Sequence, residues 1–130
     1  MTPLKPGDEL TPLRKEPVTR VQLVKYAGAS GDFNPIHWDP ERGGEMGLGG
    51  VIAHGMLSMG FLGQYAAGIA GPENVRRLKV RFAAMVRPGD VLTCKGTVRE
   101  VEAGRAILDI WAENQDGEQV TTGEAEVEIG

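Results

Sequence analysis

The chain has 130 residues, 41% of them apolar and 25% charged, with a formal net charge of −4 and one cysteine, Cys94. That length and balance fit one globular domain spanning 1–130 that buries its own core. The acidic balance argues against nucleic acid or an anionic membrane as a partner, and a lone cysteine excludes an internal disulfide and a thiolate metal cage.

No apolar run approaches the roughly 20 residues of a membrane span. The opening "MTPLKPGDEL" has no signal-peptide core, so a cytoplasmic location is expected. Pro3, Pro6, Pro12 and Pro17 make this region an extended lead-in with room for one short strand. Thr19 and Gln22 form a capping-box pattern that opens a helix over roughly 20–29, with Val21, Val24 and Tyr26 among its apolar positions. A turn at Gly31–Pro35 follows. Asp39-Pro40 reads as an N-cap with proline in the first helical position, starting a short helix that Gly43 and Gly44 end.

Residues 55–70, "GMLSMGFLGQYAAGIA", carry no charge, and a helix apolar nearly all round is a buried helix. Gly60 and Gly63 are costly there, which predicts that another backbone approaches them closely. "GPE" at 71–73 stops the helix. The remainder alternates at strand period. Leu78, Val80, Phe82, Ala84 and Val86 share one face, and Arg77, Lys79, Arg81 and Arg87 the other. "RPGD" is a turn at 87–90, after which Leu92, Cys94 and Val98 continue the inward face. Gly104 leads into a strand with Ala106, Leu108, Ile110 and Ala112 inward. Past the "NQDGE" turn, Ala125, Val127 and Ile129 alternate with Glu124, Glu126 and Glu128. At period two those glutamates form one solvated face, not a catalytic cluster. The pattern predicts an α+β architecture, one buried helix and a meander of about four antiparallel strands.

The chemistry concentrates in "SGDFNPIHWDPE", residues 30–41, where Asp32 and His37 flank a rigid Asn34-Pro35 bend. Proline locks its own φ and drives the preceding residue out of the helical region, so side chains on both sides can converge on one small molecule. A carboxylate and an imidazole there can divide acid and base duties. The same residues also suit an Asx-turn in which Asp32 and Asn34 bond only the local backbone. Asp32, His37, Asp39 and His54 are all ligand types, but their spacing matches no zinc signature, so no metal is expected. Gly55, at the start of the buried helix, offers an unpaired backbone N–H that can hold a carbonyl oxygen as negative charge builds on it. It also serves simply to start the helix.

"YAGASGDFNPIHWDPE" at 26–41, together with "IAHGMLSMG" at 52–60, resembles the MaoC-like family of hotdog-fold proteins, specifically the R-specific enoyl-CoA hydratases. Within it, the nearest resemblance is to the catalytic dehydratase subunits acting on 3-hydroxyacyl thioesters in mycolic-type fatty acid elongation. The resemblance implies a single hotdog domain, its long central helix at 55–70 wrapped by an antiparallel sheet. It implies Asp32 and His37 as the catalytic pair and Gly55 as the oxyanion donor, with Asn34 holding the loop. Ser58, one helical turn from Gly55, could orient Asp32 or a water. One departure stands at Gly43, where the family often carries Ala or Ser. That position closes the short helix, so the change bears on local geometry rather than on chemistry.

The activity so implied is hydration of trans-2-enoyl thioesters to (3R)-hydroxyacyl thioesters, or the reverse dehydration, a hydro-lyase reaction. It needs no cofactor, because coenzyme A or acyl carrier protein enters as part of the substrate. The alternatives are a thioesterase, which would want a carboxylate on the 55–70 helix where none exists, and a non-catalytic acyl-thioester-binding subunit. A short meander leaves an open edge, and Ile107 and Trp111 lie on an otherwise polar strand face, so a homodimer is expected. The resemblance adds a heterodimer with a related hotdog subunit as the other arrangement. Arg81 and Arg87 are the candidates for meeting the carrier's phosphates, against the plainer reading of a solvated strand face.

Overall fold

The computed structural model describes residues 3–129. Its order of elements is β1 (Leu13–Arg14), α1 (Arg20–Ser30), α2 (Pro40–Glu45), α3 (Gly55–Ala70), β2 (Val75–Phe82), β3 (Thr93–Glu102), β4 (Arg105–Glu113) and β5 (Gln119–Glu128). The expected α+β class holds, with α3 packed across an antiparallel sheet of five strands.

The sheet is not a plain meander. Its order is β1-β3-β4-β5-β2, so β3, β4 and β5 run as consecutive neighbours while β2, made before them, closes on the far side of β5. Lys79 pairs with Glu124 and Val80 with Gly123. The alternation of 106–112 sets the inner face of β4, where Ala106, Leu108, Ile110 and Ala112 are at most 1% exposed. Leu92, Cys94, Val98, Ala125 and Val127 join that core. Leu57, Phe61, Leu62, Tyr65 and Ala66 of α3 fill it from the helix side. On the outer face Arg99 pairs with Asp109 and Glu124, Arg105 with Glu126, and Arg76 with Glu128. The Arg76 guanidinium holds the Glu128 carboxyl below its ordinary range. The three glutamates of β5 are therefore a solvated, ion-paired face, as their spacing requires.

The helix starts follow from their caps. The Thr19 hydroxyl accepts the Gln22 N–H at 3.0 Å, and Gly31, at φ 74°, ends α1 in the left-handed conformation that glycine tolerates best. The buried side of α1 is Leu23 and Ala27, and Val21 and Val24 face outward. Asp39 caps α2 by accepting the Glu41 N–H at 3.1 Å.

Three sequence expectations need correction. Gly43 and Gly44 do not end α2, which runs through them to Glu45. Gly60 and Gly63 are not points of backbone approach: nothing lies within 4 Å of a Cβ at Gly60, and only the Leu78 side chain, at 3.6 Å, would meet one at Gly63. Glycines that do admit another backbone stand elsewhere: a Cβ would lie 2.0 Å from the Gly50 carbonyl oxygen at Gly43, 2.2 Å from the Lys79 oxygen at Gly123 and 2.8 Å from the Asp109 oxygen at Gly96. Finally, the strand ends at Phe82, itself half-exposed, so Ala84, Val86 and Arg87 belong to the crossing segment and not to β2.

Candidate active site

The bend forms as its residue types dictate. Asp32 Oδ1 accepts the Asn34 N–H at 3.2 Å, and Asn34 Oδ1 accepts the Ile36 N–H at 3.3 Å. Two successive Asx contacts hand the chain into a 3-10 turn, Pro35–His37, with Pro35 pre-set for its first position. Asn34 thus holds the loop by the kind of contact expected of it.

The turn delivers His37 to the protein interior, 7% exposed. Its Nδ1 lies 2.8 Å from the Ile52 carbonyl, which can only accept, so Nδ1 carries a hydrogen and Nε2 is the nitrogen that faces Asp32; in the neutral ring it presents a lone pair. Asp32 Oδ2 stands 3.7 Å from that Nε2, with the Asp32 side chain half-exposed. The separation exceeds a direct hydrogen bond but lets both atoms reach one shared oxygen beside them. Backbone pairing fixes the surroundings: Ile52 N–H donates to Ile36 O at 2.9 Å and Ala53 N–H to Val86 O at 2.7 Å. The 51–53 segment therefore ties the bend to the crossing segment.

α3 begins at Gly55, whose N–H lies in the helix's first turn, where no intrahelical acceptor exists. The Phe82 ring covers its Cα, and a Cβ at Gly55 would sit 3.2 Å from that ring. A side chain at 55 would therefore press on the half-exposed Phe82 ring, a contact the sequence did not reveal. Ser58, in the next turn, makes no hydrogen bond to Asp32. Its hydroxyl bonds Gly55 O at 3.0 Å and Thr121 Oγ1 at 2.7 Å, so it joins the helix start to β5.

His37, His54, Gly55, Ser58, Phe82 and Thr121 line part of one cavity of about 360 Å³. Sequence reasoning assigned no role here to His54 and Thr121. His54 is 3% exposed, stacks on His37 with ring centroids 3.8 Å apart, and places Nε2 3.1 Å from the Asp32 carbonyl oxygen. The "HG" dipeptide at the buried helix start was the available signal. Asp32, His37 and His54 also bring three ligand-type atoms within 4.8 Å of one another, so in number they could hold a metal. His37 Nδ1 and His54 Nε2 each face a backbone carbonyl, so the atoms left over are His37 Nε2, His54 Nδ1 and the Asp32 carboxylate. Asp39, the other ligand candidate, is engaged as the cap of α2.

The two arginines are apart. Arg81 is exposed on β2, opposite Thr122, and borders a second depression on the outer sheet face with Lys79, Arg99 and Trp111. Arg87 lies beyond the strand, where its guanidinium donates to the Leu48 carbonyl and its backbone N–H to Asp90 Oδ2. Of the expected shared face, Arg77, Lys79 and Arg81 do stand together, exposed on β2, and Arg87 alone falls outside it.

A buried uncharged helix wrapped by an antiparallel sheet, with an acid and an imidazole near the helix start, defines the class, a hotdog domain. Residues 3–120 match the family described as "MaoC like domain", and the chain belongs to that family. It is 38% identical over 110 residues to the fatty acid synthase subunit beta of Schizosaccharomyces pombe, covering 79% of this chain and only 5% of that protein. Among solved structures, the (R)-hydratase from A. caviae involved in PHA biosynthesis superposes over 100% of both chains with a TM-score of 0.89 and 25% identity. An R-hydratase from Pseudomonas aeruginosa matches with a TM-score of 0.84 and 32% identity, covering 97% of this chain and 82% of that one.

Proposed function

We propose that this chain is a hydro-lyase that adds water to trans-2-enoyl thioesters to give (3R)-hydroxyacyl thioesters, or runs the reverse dehydration, in fatty acid metabolism. The observation that carries this reading is the approach of Asp32 Oδ2 to Nε2 of His37, whose Nδ1 is taken by the Ile52 carbonyl. A water held between them loses a proton to the pair as its oxygen bonds to C3. The pair returns a proton to C2 on the same face, and the thioester is saturated. In the reverse direction C2 loses the proton and C3 loses water. The Gly55 N–H faces the thioester carbonyl, where negative charge accumulates in the transition state, and the dipole of α3 adds to that stabilisation.

Family membership and the two hydratase neighbours support the reaction class. The reading needs no cofactor, and the carrier, coenzyme A or acyl carrier protein, arrives with the acyl group. Activity is expected to survive dialysis against EDTA. Loss on chelation with recovery on adding a divalent ion would replace this mechanism with a metal one.

The direct test is a spectrophotometric hydration assay with crotonyl-, octenoyl- and dodecenoyl-CoA. The wild type should turn over at least one of them to the (3R) product, and Asp32→Asn should be slower by at least about 10²-fold. Thioester hydrolysis without hydration would favour the thioesterase alternative, although α3 carries no carboxylate to direct water at a carbonyl carbon. Binding with no turnover would favour an acyl-binding subunit.

A further inference from the structure

His54 has a density of contacts that the reaction just proposed does not use. Its ring stacks on His37 at 3.8 Å with planes 21° apart, and Tyr26 of α1 packs against it with centroids at 4.7 Å. Its Nε2 stands 3.1 Å from the carbonyl oxygen of Asp32, an atom that can only accept. The other nitrogen, Nδ1, is buried and has no hydrogen-bond partner. These facts select one tautomer. A hydrogen on Nδ1 would be a buried donor without an acceptor, and Nε2 would then lose its bond to Asp32. His54 is also the N-cap residue of α3, one position before Gly55, and its side chain makes no capping bond. Its side chain is therefore committed to the acid–base loop and its backbone to the start of the helix.

We propose that His54, as the Nε2–H tautomer, is a positioning residue for hydration. It clamps the Asp32 main chain and the His37 ring at a fixed distance from the Gly55 N–H. Misplacing reacting groups by about 1 Å can cost on the order of 10²-fold in rate, so a residue joining all three parts governs turnover more than binding.

The proposal rests on the hydratase reading, and the experiment separates the two. Hydration kinetics are measured for the wild type, His54→Gln and His54→Leu. Leucine fills the space without a donor, whereas glutamine can carry an N–H to the Asp32 carbonyl. His54→Leu should lower kcat about 10- to 100-fold with KM changed less than about 3-fold, and His54→Gln should recover most of the loss. Wild-type kcat in His54→Leu, or equal losses in both variants, would overturn the clamp. Nitrogen-15 NMR of the wild type adds a test that needs neither a folded variant nor turnover. Long-range proton–nitrogen correlations should report hydrogen on Nε2 of His54 and on Nδ1 of His37. Hydrogen on Nδ1 of His54 would refute the proposal. An inactive wild type with those tautomers would instead refute the hydratase reading, and with it the role in hydration, while the tautomer and its contact to Asp32 stand.

Discussion

Asp32 divides its carboxylate. Oδ1 accepts the Asn34 N–H and so builds the turn, while Oδ2 faces His37. The two sequence-level readings of the motif, Asx-turn and acid–base pair, therefore describe two oxygens of one group. Asp32→Asn keeps an amide oxygen for the turn and discards the charge, so the loop should persist while chemistry fails. Asp32→Asn and His37→Ala should each lower kcat at least about 10²-fold, and the double variant should be barely slower than either, because groups acting as a unit are not additive. Unchanged melting curves for all three would place the loss in chemistry, and near-normal turnover in either single variant would remove the pair from the mechanism. Cys94 makes the opposite case. It is fully buried on β3, and desolvation pushes its thiol up to about 11 despite Lys15 pulling the other way. A thiol so placed stays protonated and inert, so the native protein should not react with a disulfide reagent at pH 8 until denaturant is added. The approach of Asp32 to His37 was legible because both sit five residues apart in one motif. His54 was not, since its partner lies 22 residues away and only the fold brings them together.

Among the elements, α2 shows how local rules reach their limit. Asp39 and Pro40 announced its start correctly, yet its glycines belong to packing and not to termination. The carbonyl of Gly50 occupies the place where a side chain at 43 would stand, as the loop through Gly47, Gly49 and Gly50 folds back at positive φ. Gly43→Ala must therefore displace main chain. It should cost roughly 1–3 kcal/mol, read from chemical denaturation, with lower turnover because that loop leads straight into the Val51–His54 segment. Wild-type stability would mean that the loop yields freely. The crossing segment has a related lesson. Alternation in 78–86 looked like one long strand, but period two alone does not say where pairing stops, and here it stops at Phe82. Arg81 and Arg87 consequently differ. Arg87 braces the loop at Leu48 and Asp90, so Arg87→Ala should lower stability as well as raise KM. Arg81→Ala should change KM alone, several-fold if the carrier meets this face. An unchanged KM in Arg81→Ala, with no dependence on salt, would make the outer sheet face plain surface.

For the whole molecule, the apolar residues left outside the core matter most. Phe82, Met85 and Met56 are each about half-exposed, and β2 ends the sheet with an edge that no described strand covers. The other edge strand, β1, is only two residues long, a common way of blunting an edge. An eight-residue edge with apolar neighbours is better suited to pairing with a second sheet. Sedimentation of the purified chain should give twice the chain mass, with a mixed pair forming if a related hotdog subunit is co-expressed. A monomer with full activity would contradict this. Composition and alternation made the α+β class and the buried helix legible in the sequence. The strand order was not, because pairing of β2 with β5 is a long-range choice that no local pattern encodes.

That strand order also sets the timetable of synthesis. α3 and β2 leave the ribosome ahead of the strands that cover them, and the partner of β2 emerges only after β3 and β4. Until residues 119–128 are made, the growing chain carries a 16-residue uncharged helix and an unpaired strand side by side. Non-local closure of this kind is slow and leaves sticky surface open in the meantime. The half-made chain is therefore more prone to aggregation than the finished one. A stop inserted after β4 should therefore yield a species that aggregates instead of a smaller soluble domain.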